Sequence, residues 1–366
     1  MASQIPTTTR PSPDQASLRR LMRRLAEIDS ADAPVLSIYL DVRPGAHGEA
    51  PARRPQLVVM RDRLREVADT YLPHSPERES LDADARRVAA MVADAEFDGV
   101  DGLAVFACQA AGLWEEVRAP IPFETQISAG PTADLFQLAR LLEEAEASVV
   151  ALVDSNTCRL FATRRGALVE RRGRDEAPDE HRRHDQGGWS QARYQRHIDT
   201  QDKRFAHEAA DAVERLVDQV NAKHVVLAGD EPSVAVLRVE LPPRIAALVA
   251  QAEHIGMRAT SREVADDVEP VLAALREADD ADAADRVVAG VRAGELGVAG
   301  NDAVATALEK GQVHELVLDR SATIDEALRA DLVRQATLTS ADVVVVDGHQ
   351  GLLRLGGVGA TLRYRT

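Results

Sequence analysis

Cysteine is almost missing from this 366-residue sequence. Only Cys108 and Cys158 occur, too few for a disulfide framework or a cysteine-rich zinc site, which suits a reducing compartment and points to the cytoplasm. Lysine is equally scarce, at Lys203, Lys223 and Lys310 alone, so nearly all positive charge is arginine, the better fork for phosphate. No apolar run approaches the roughly 18 residues of a transmembrane helix, and candidates such as Val343 to Val346 are strand-sized. The polar, proline-rich start lacks the apolar stretch of a secretory signal and reads as a disordered tail over 1–15. Membrane association is therefore not expected.

What is present is an acidic, globular composition: 44 basic against 60 acidic residues, a formal charge of −16, and 45% hydrophobic content. At about 150 residues per domain, the length predicts two or three domains. Ser17 to Ile28 reads as a helix with Leu18, Leu21, Met22, Leu25 and Ile28 on one face and Arg19, Arg20, Arg23 and Arg24 on the other. A strand over Val35 to Val42 leads into a loop holding Arg43, Arg53 and Arg54. Helical patterns over 57–71 and 81–95, then strands over 103–108 and 113–118, complete an α/β unit assigned to 16–130.

A second unit, 131–260, opens with strands flanking Asp154-Ser155-Asn156, good hairpin chemistry. After a short strand at Leu168 to Glu170 comes a charged loop, Arg171 to Gln186, lacking hydrophobic anchors and expected to be disordered when free. A long helix from Ser190 to Asn221 and a buried-type strand over His224 to Gly229 follow. A third unit, 261–366, starts with acidic helices through Glu295 and continues as a compact α/β sandwich.

Charge is segregated. Between Arg159 and Arg204 twelve basic residues face eight acidic ones, a local +4 that leaves −20 on the rest. Attraction to phosphate depends on such a local field rather than on the total. On the long helix, Tyr194, Ile198, Phe205, Ala209, Val213, Leu216 and Val220 form the face to be buried. Arg193, Arg196, His197, Lys203, Arg204 and His207 fall on an arc of roughly 120° nearly opposite, a stripe suited to successive phosphates. With Ser190 as N-cap, Gly187-Gly188-Trp189 lies where the helix begins, beside Arg182 and Arg183. Two glycines allow close backbone approach, helix N–H groups favour anions, and Trp189 either stacks on a base or folds back on the protein.

His181 and His184 with Asp185 imitate metal ligands, but solvated histidines in a charged loop explain them better, and no metal or cofactor is expected. Asp154 sits at a strand end, where a turn accounts for it. The Gly294, Gly297, Gly300 spacing lacks a preceding strand and is no dinucleotide fingerprint. The acidic run Glu263, Asp266, Asp267, Glu269, Glu277, Asp279, Asp280, Asp282 and Asp285 either is a solvated helix face or complements a basic protein partner.

The order strand, hairpin, strand, charged loop, Gly187-Gly188-Trp189-Ser190-Gln191-Ala192-Arg193-Tyr194-Gln195-Arg196, long helix, then Val225-Val226-Leu227-Ala228-Gly229 resembles the central domain of the archaeo-eukaryotic class-one release factors, Pelota and their bacterial relatives. The segment Gly300 to Leu318 and the ending Gly-Gly-Val-Gly-Ala-Thr-Leu-Arg-Tyr are similar to that family's L7Ae-like carboxy-terminal domain, so the resemblance covers about 149–366. It implies a three-domain α/β architecture with a central mixed-sheet domain and an L7Ae-like α/β sandwich at the end. It also implies a ligand of the 70S ribosomal A site, touching 23S and 16S rRNA and ribosomal proteins rather than DNA. The central domain of the family enters the peptidyl-transferase centre, the first reaches the decoding centre, and the third meets a translational GTPase or the subunit's flank. Balon-type bacterial members are hibernation factors that bind with elongation factor Tu, and others are proposed to rescue stalled ribosomes.

Two departures matter. Trp189 stands where the release factors have the glutamine that positions water against the peptidyl ester, and an indole only donates from nitrogen. The expectation is therefore a non-hydrolytic factor for hibernation or stalled-ribosome recognition. A peptidyl-tRNA hydrolase or other rescue enzyme is the alternative, with Gln186 or Gln191 replacing that glutamine. The stop-codon-reading Asn-Ile-Lys-Ser element is absent, which argues against stop-codon decoding.

Overall fold

The computed structural model describes residues 15–30, 33–43, 55–164, 167–171, 191–253 and 255–365. These form two compact units, one made of 1–145 with 279–366 and the other of 146–278. Three sheets underlie them, one in each stretch that the sequence marks as a unit.

The larger unit begins with α1 (Gln15–Ala26), β1 (Val35–Asp41), α2 (Pro55–Ala68), α3 (Pro76–Asp94), β2 (Gly102–Cys108), β3 (Leu113–Ala119), β4 (Gln126–Gly130) and α4 (Phe136–Glu144). Its first sheet runs β3-β2-β1-β4, antiparallel throughout. Alternation along β1 decides what covers each face. Leu36, Ile38 and Leu40 pack with Met60, Leu81, Val88 and Val92 of α2 and α3, whereas Val35 and Tyr39 turn to α1 and α4. α1 buries Leu18, Leu21, Met22 and Leu25 as its periodicity predicts. Its arginines stay on the surface in ion pairs: Arg19 with Asp342 at 3.1 Å, Arg24 with Glu115 at 2.8 Å and Arg23 with Glu27 at 3.6 Å.

The smaller unit holds β5 (Ser148–Val153), β6 (Cys158–Arg164), β7 (Ala167–Arg171), α5 (Gln191–Val220), β8 (His224–Gly229), α6 (Glu231–Glu240), α7 (Pro243–Ala246), β9 (Val249–Gln251) and the start of α8 (Ser261–Ala293). Its sheet, β7-β6-β5-β8-β9, is mixed: β5, β6 and β7 pair antiparallel, while β5, β8 and β9 pair parallel. The parallel step from β5 to β8 needs a long crossover, and α5 supplies it. Val149, Ala151, Val225 and Leu227 face α5, α6 and α7, and Val150, Leu152, Val226 and Ala228 face Val264, Val268 and Leu272 of α8. The sheet is buried on both sides, which explains the unbroken apolar run of β8.

Sequence reading expects several acidic helices before Glu295, but they are one 33-residue helix, α8, with an exposed Pro270 inside it. The chain returns to the larger unit within α8 and adds β10 (Gly297–Ala299), α9 (Asn301–Glu309), β11 (Val313–Asp319), α10 (Glu326–Leu338), β12 (Asp342–Val346), α11 (Gln350–Leu353) and β13 (Val358–Leu362). This sheet runs β10-β13-β11-β12, with only β11 and β12 parallel. Val317, Val346 and Leu352 pack on Ala283, Ala284 and Val287 of α8. On the other face, Leu316, Leu318, Leu332 and Val333 enter the same hydrophobic cluster as Leu18, Tyr39, Phe106 and Leu138. Polar contacts reinforce that junction: Arg334 Nε donates to the Ala26 carbonyl at 2.9 Å, the Val345 amide donates to Glu143 Oε1 at 3.0 Å, and Arg320 Nη1 donates to Glu124 Oε1 at 2.9 Å.

Candidate nucleic-acid interface

In the smaller unit, the β5–β6 turn accounts for Asp154. Its Oδ1 accepts from the amides of Asn156 at 2.8 Å and Thr157 at 2.7 Å, an Asx turn rather than a free carboxylate. Across the next pair of strands, Arg159 Nε and Nη2 donate to Glu170 at 2.7 and 2.9 Å. Its Nη1 also donates to the carbonyls of Met257 and Ala259 at 2.8 and 2.7 Å, and the guanidinium lies over the Phe161 ring. Hydrogen bonding from Arg159 holds the Glu170 carboxyl below its ordinary range. The cation counted in the basic island at position 159 is thus consumed inside the unit.

β7 ends at Arg171 and α5 begins at Gln191. The candidates Arg182, Arg183, Gln186, Gly187, Gly188 and Trp189, the histidines at 181 and 184 and the Ser190 cap lie outside the described residues, as do Arg53 and Arg54. Arg43 is described: it is half-exposed, and its Nη2 and Nε bind Asp41 at 2.7 and 3.1 Å. That pairing leaves Arg43 less able to reach a phosphate than the sequence suggests.

α5 is helical from Gln191 onward, so Gln191, Arg193, Arg196, His197, Lys203, Arg204 and His207 share one continuous helix. Ala209, Ala210, Val213, Leu216 and Val217 are buried against the sheet, with Phe205 and Val220 partly buried beside them. Of the basic residues expected on the opposite arc, Arg204 and His207 are exposed, and the side chains of Arg193, Arg196, His197 and Lys203 lie outside the described residues. Arg204 is 82% exposed and pairs with Glu208, at 3.0 Å one turn on, an exposed pair worth about 0.3–0.5 kcal/mol. His207 Nδ1 stands 3.5 Å from Glu240 of α6.

Sequence reading missed Arg244 on α7. Its Nη1 and Nη2 bind Asp218 Oδ1 and Oδ2 at 2.8 Å, and Nη2 also binds Glu214 Oε1 at 2.8 Å. Those bonds hold the Asp218 carboxyl below its ordinary range. Within the acidic run, Glu263 caps its own helix. Its Oε2 accepts from the Thr260 amide at 2.7 Å while Thr260 Oγ1 accepts from the Glu263 amide at 3.3 Å, a capping box at the start of α8. The Thr-x-x-Glu spacing is the signal that marks it. Asp285 faces His349 Nε2 at 3.3 Å, and Asp279 and Asp280 are half-buried with partners. Among the described residues, no group of three histidine, cysteine or acidic side chains is placed to hold a metal ion, and no helix is long and apolar enough to cross a membrane.

Residues 134–273 match the model of bacterial archaeo-eukaryotic release factor family 10, which takes in nearly all of the smaller unit. That central segment is similar to the bacterial relatives of the archaeo-eukaryotic release factors. Among solved structures, the chain is similar to an archaeal translation termination factor, at 17% identity and a TM-score of 0.29, covering 98% of this chain and 100% of that one. It is also similar to Archaeoglobus fulgidus Pelota, at 14% identity and 0.35 over 97% and 93% of the two chains. A ribosome-bound archaeal Pelota gives 14% identity and 0.45 over 100% and 99%. No curated protein sequence matches the chain. Within this matched segment lie the mixed sheet and α5.

Proposed function

We propose that this protein is a ribosome-binding translation factor of the cytoplasm that occupies the A site without hydrolysing peptidyl-tRNA, in hibernation or stalled-ribosome recognition. The observation that carries the reading is α5: in a segment that matches a release-factor family, one continuous helix carries Arg193, Arg196, Lys203 and Arg204 in its first half, leaves Arg204 exposed and buries Ala209, Val213 and Leu216 against the sheet. Positive groups spaced along a helix gain affinity by releasing counterions from RNA phosphates. Trp189 in place of the hydrolytic glutamine favours binding over catalysis. The ribosomal contacts of this reading are 23S and 16S rRNA and ribosomal proteins. The exposed acids of α8, among them Asp266, Asp267 and Glu277, suit a basic protein surface or a GTPase such as elongation factor Tu better than RNA.

Co-sedimentation with 70S ribosomes tests the proposal. Binding should weaken steeply as salt rises, and replacing Arg193, Arg196 and Arg204 with glutamate should abolish most of it. Unchanged binding in that variant overturns the assigned surface. Release of peptide from stalled complexes by the purified protein would move the assignment to a rescue hydrolase using Gln186 or Gln191.

A further inference from the structure

The sheet β10-β13-β11-β12 has one end where β10, β11 and β12 start and β13 stops, and it gathers basic side chains from distant parts of the larger unit. Past β13, Arg363 Nη2 donates to the carbonyls of Thr339 and Ser340 at 3.2 and 2.7 Å, where α10 ends, and Arg365 donates to the Gly294 carbonyl, where α8 ends. Both residues are exposed, and among the described residues neither meets a carboxylate. The end of a helix fixes a cation but carries only about half an elementary charge, so each arginine is held in place and stays net positive. Two residues beyond Ser340, Asp342 pairs with Arg19 at 3.1 Å, which brings α1 to the same end. Arg20, on the exposed face of α1, bonds Ser17 Oγ at 3.0 Å and has no ion pair among the described residues. Lys310, whose carbonyl accepts from the Tyr364 hydroxyl at 3.5 Å, and Arg292, two residues before Gly294, are likewise exposed without an ion pair among the described residues. The acids at this end are Asp342, Glu309 and Glu295; Glu315 is bound by Arg286 at 3.0 Å. Positive charge therefore prevails here, in a chain whose total is −16.

We infer that this end of the larger unit is a second contact for RNA phosphates, formed by Arg19 and Arg20 of α1 with Arg292, Lys310, Arg363 and Arg365. Arginine forks suit phosphate oxygens, and forks already fixed by carbonyls lose little freedom when a phosphate arrives. Tyr364, between two of these arginines in sequence, is 49% exposed and offers a ring on which an unpaired base stacks. This rests on the ribosome-binding reading and extends it from the smaller unit to the larger.

The test is Arg20→Glu combined with Lys310→Glu in the full chain, assayed for 70S binding across a salt series. Neither side chain has an ion pair among the described residues to lose. Arg61→Glu with Arg86→Glu is the control: it makes the same charge change at exposed sites on α2 and α3, which cover the opposite face of the first sheet from α1. The test variant should bind more weakly, and its plot of log affinity against log salt should be shallower by about 1.4–1.8, two lost phosphate contacts at about 0.7–0.9 each. The control should keep the parent slope. A parent-like slope and affinity in the test variant, or an equal change in the control, overturns the surface while the ribosome-binding reading stands. Weaker binding at an unchanged slope also overturns it, because the surface would then meet protein rather than phosphate. If the parent protein does not sediment with 70S ribosomes at any salt concentration, both readings fall together.

Discussion

The Arg159 guanidinium grips the Glu170 carboxylate with two prongs, Nε to Oε1 at 2.7 Å and Nη2 to Oε2 at 2.9 Å. With its third nitrogen on the carbonyls of Met257 and Ala259, one side chain ties β7 to the segment that starts α8. A planar fork can serve both directions at once, and an ammonium cannot. Arg159→Lys should therefore destabilise the smaller unit by about 1–3 kcal/mol, the scale of hydrogen bonds to charged groups. A urea titration reading this unit checks it, and an unshifted midpoint would mean that the remaining contacts suffice.

How far such features can be read from sequence depends on their range. The hairpin at Asp154, the apolar face of α5 and the strand β8 follow from local periodicity and turn chemistry, and they stand where expected. α4 escaped because its N-cap, Leu135, makes no side-chain cap bond, so no boundary signal marks Phe136. β10 and α11 are three and four residues long, too short for a period to show. The expected acidic helices before Glu295 are one helix, α8, which runs through Pro270 at an exposed position. The Arg244 clamp and the junction of α1 with α10 join residues distant in sequence, and no local pattern encodes which distant partner a face will meet.

That junction makes a prediction of its own. Leu18 and Leu332, one from each end of the chain, are both fully buried in one cluster. Truncating either to alanine should cost about 2–5 kcal/mol. Because the core is shared, Leu332→Ala should lower hydrogen-exchange protection in β1 as well as in β11, and Leu18→Ala should do the reverse. Loss confined to the mutated segment would show that the two sheets open separately. Deleting 279–366 should likewise unfold the amino-terminal segment rather than leave a clean fragment.

The buried carboxyl of Asp134 gives this unit a pH dependence. Burial pushes its pKa up; the Phe136 amide and Arg329 pull it down, Glu326 pushes it up again, and a hydrogen bond from Gln126 lowers it, with the net shift upward. The nearby Tyr39 phenol, itself raised by burial, stays neutral and donates to the Asp134 carbonyl at 2.6 Å. A carboxyl with a folded pKa above its unfolded value of about 3.9 stabilises fully below that value and loses its contribution as pH rises through the folded pKa. Asp134→Asn retains an acceptor for the Phe136 amide and cannot ionise. Thermal midpoints should therefore favour the variant increasingly from about pH 4 toward 7 relative to the parent protein. Parallel profiles would show that Asp134 does not titrate in this window.

Gly229 closes β8 with a φ of +117°, and a Cβ there would stand 2.1 Å from the Val153 carbonyl oxygen and 2.9 Å from its nitrogen. Val153 ends β5, the parallel partner in register with Gly229, so the clash is with backbone on both counts and no rotamer relieves it. The amide of Asp230 also donates to that same carbonyl at 2.9 Å, just before the Asp230 side chain caps α6. Gly229→Ala should separate β5 from β8 at the end where both strands finish and destabilise the smaller unit by about 2–4 kcal/mol. Gly256→Ala in the same unit meets nothing within 4 Å and should stay within about 0.5 kcal/mol of the parent protein. Chemical denaturation of the two variants side by side separates a backbone clash from the general cost of replacing glycine: equal midpoints would mean that β5 and β8 yield to accommodate the methyl group.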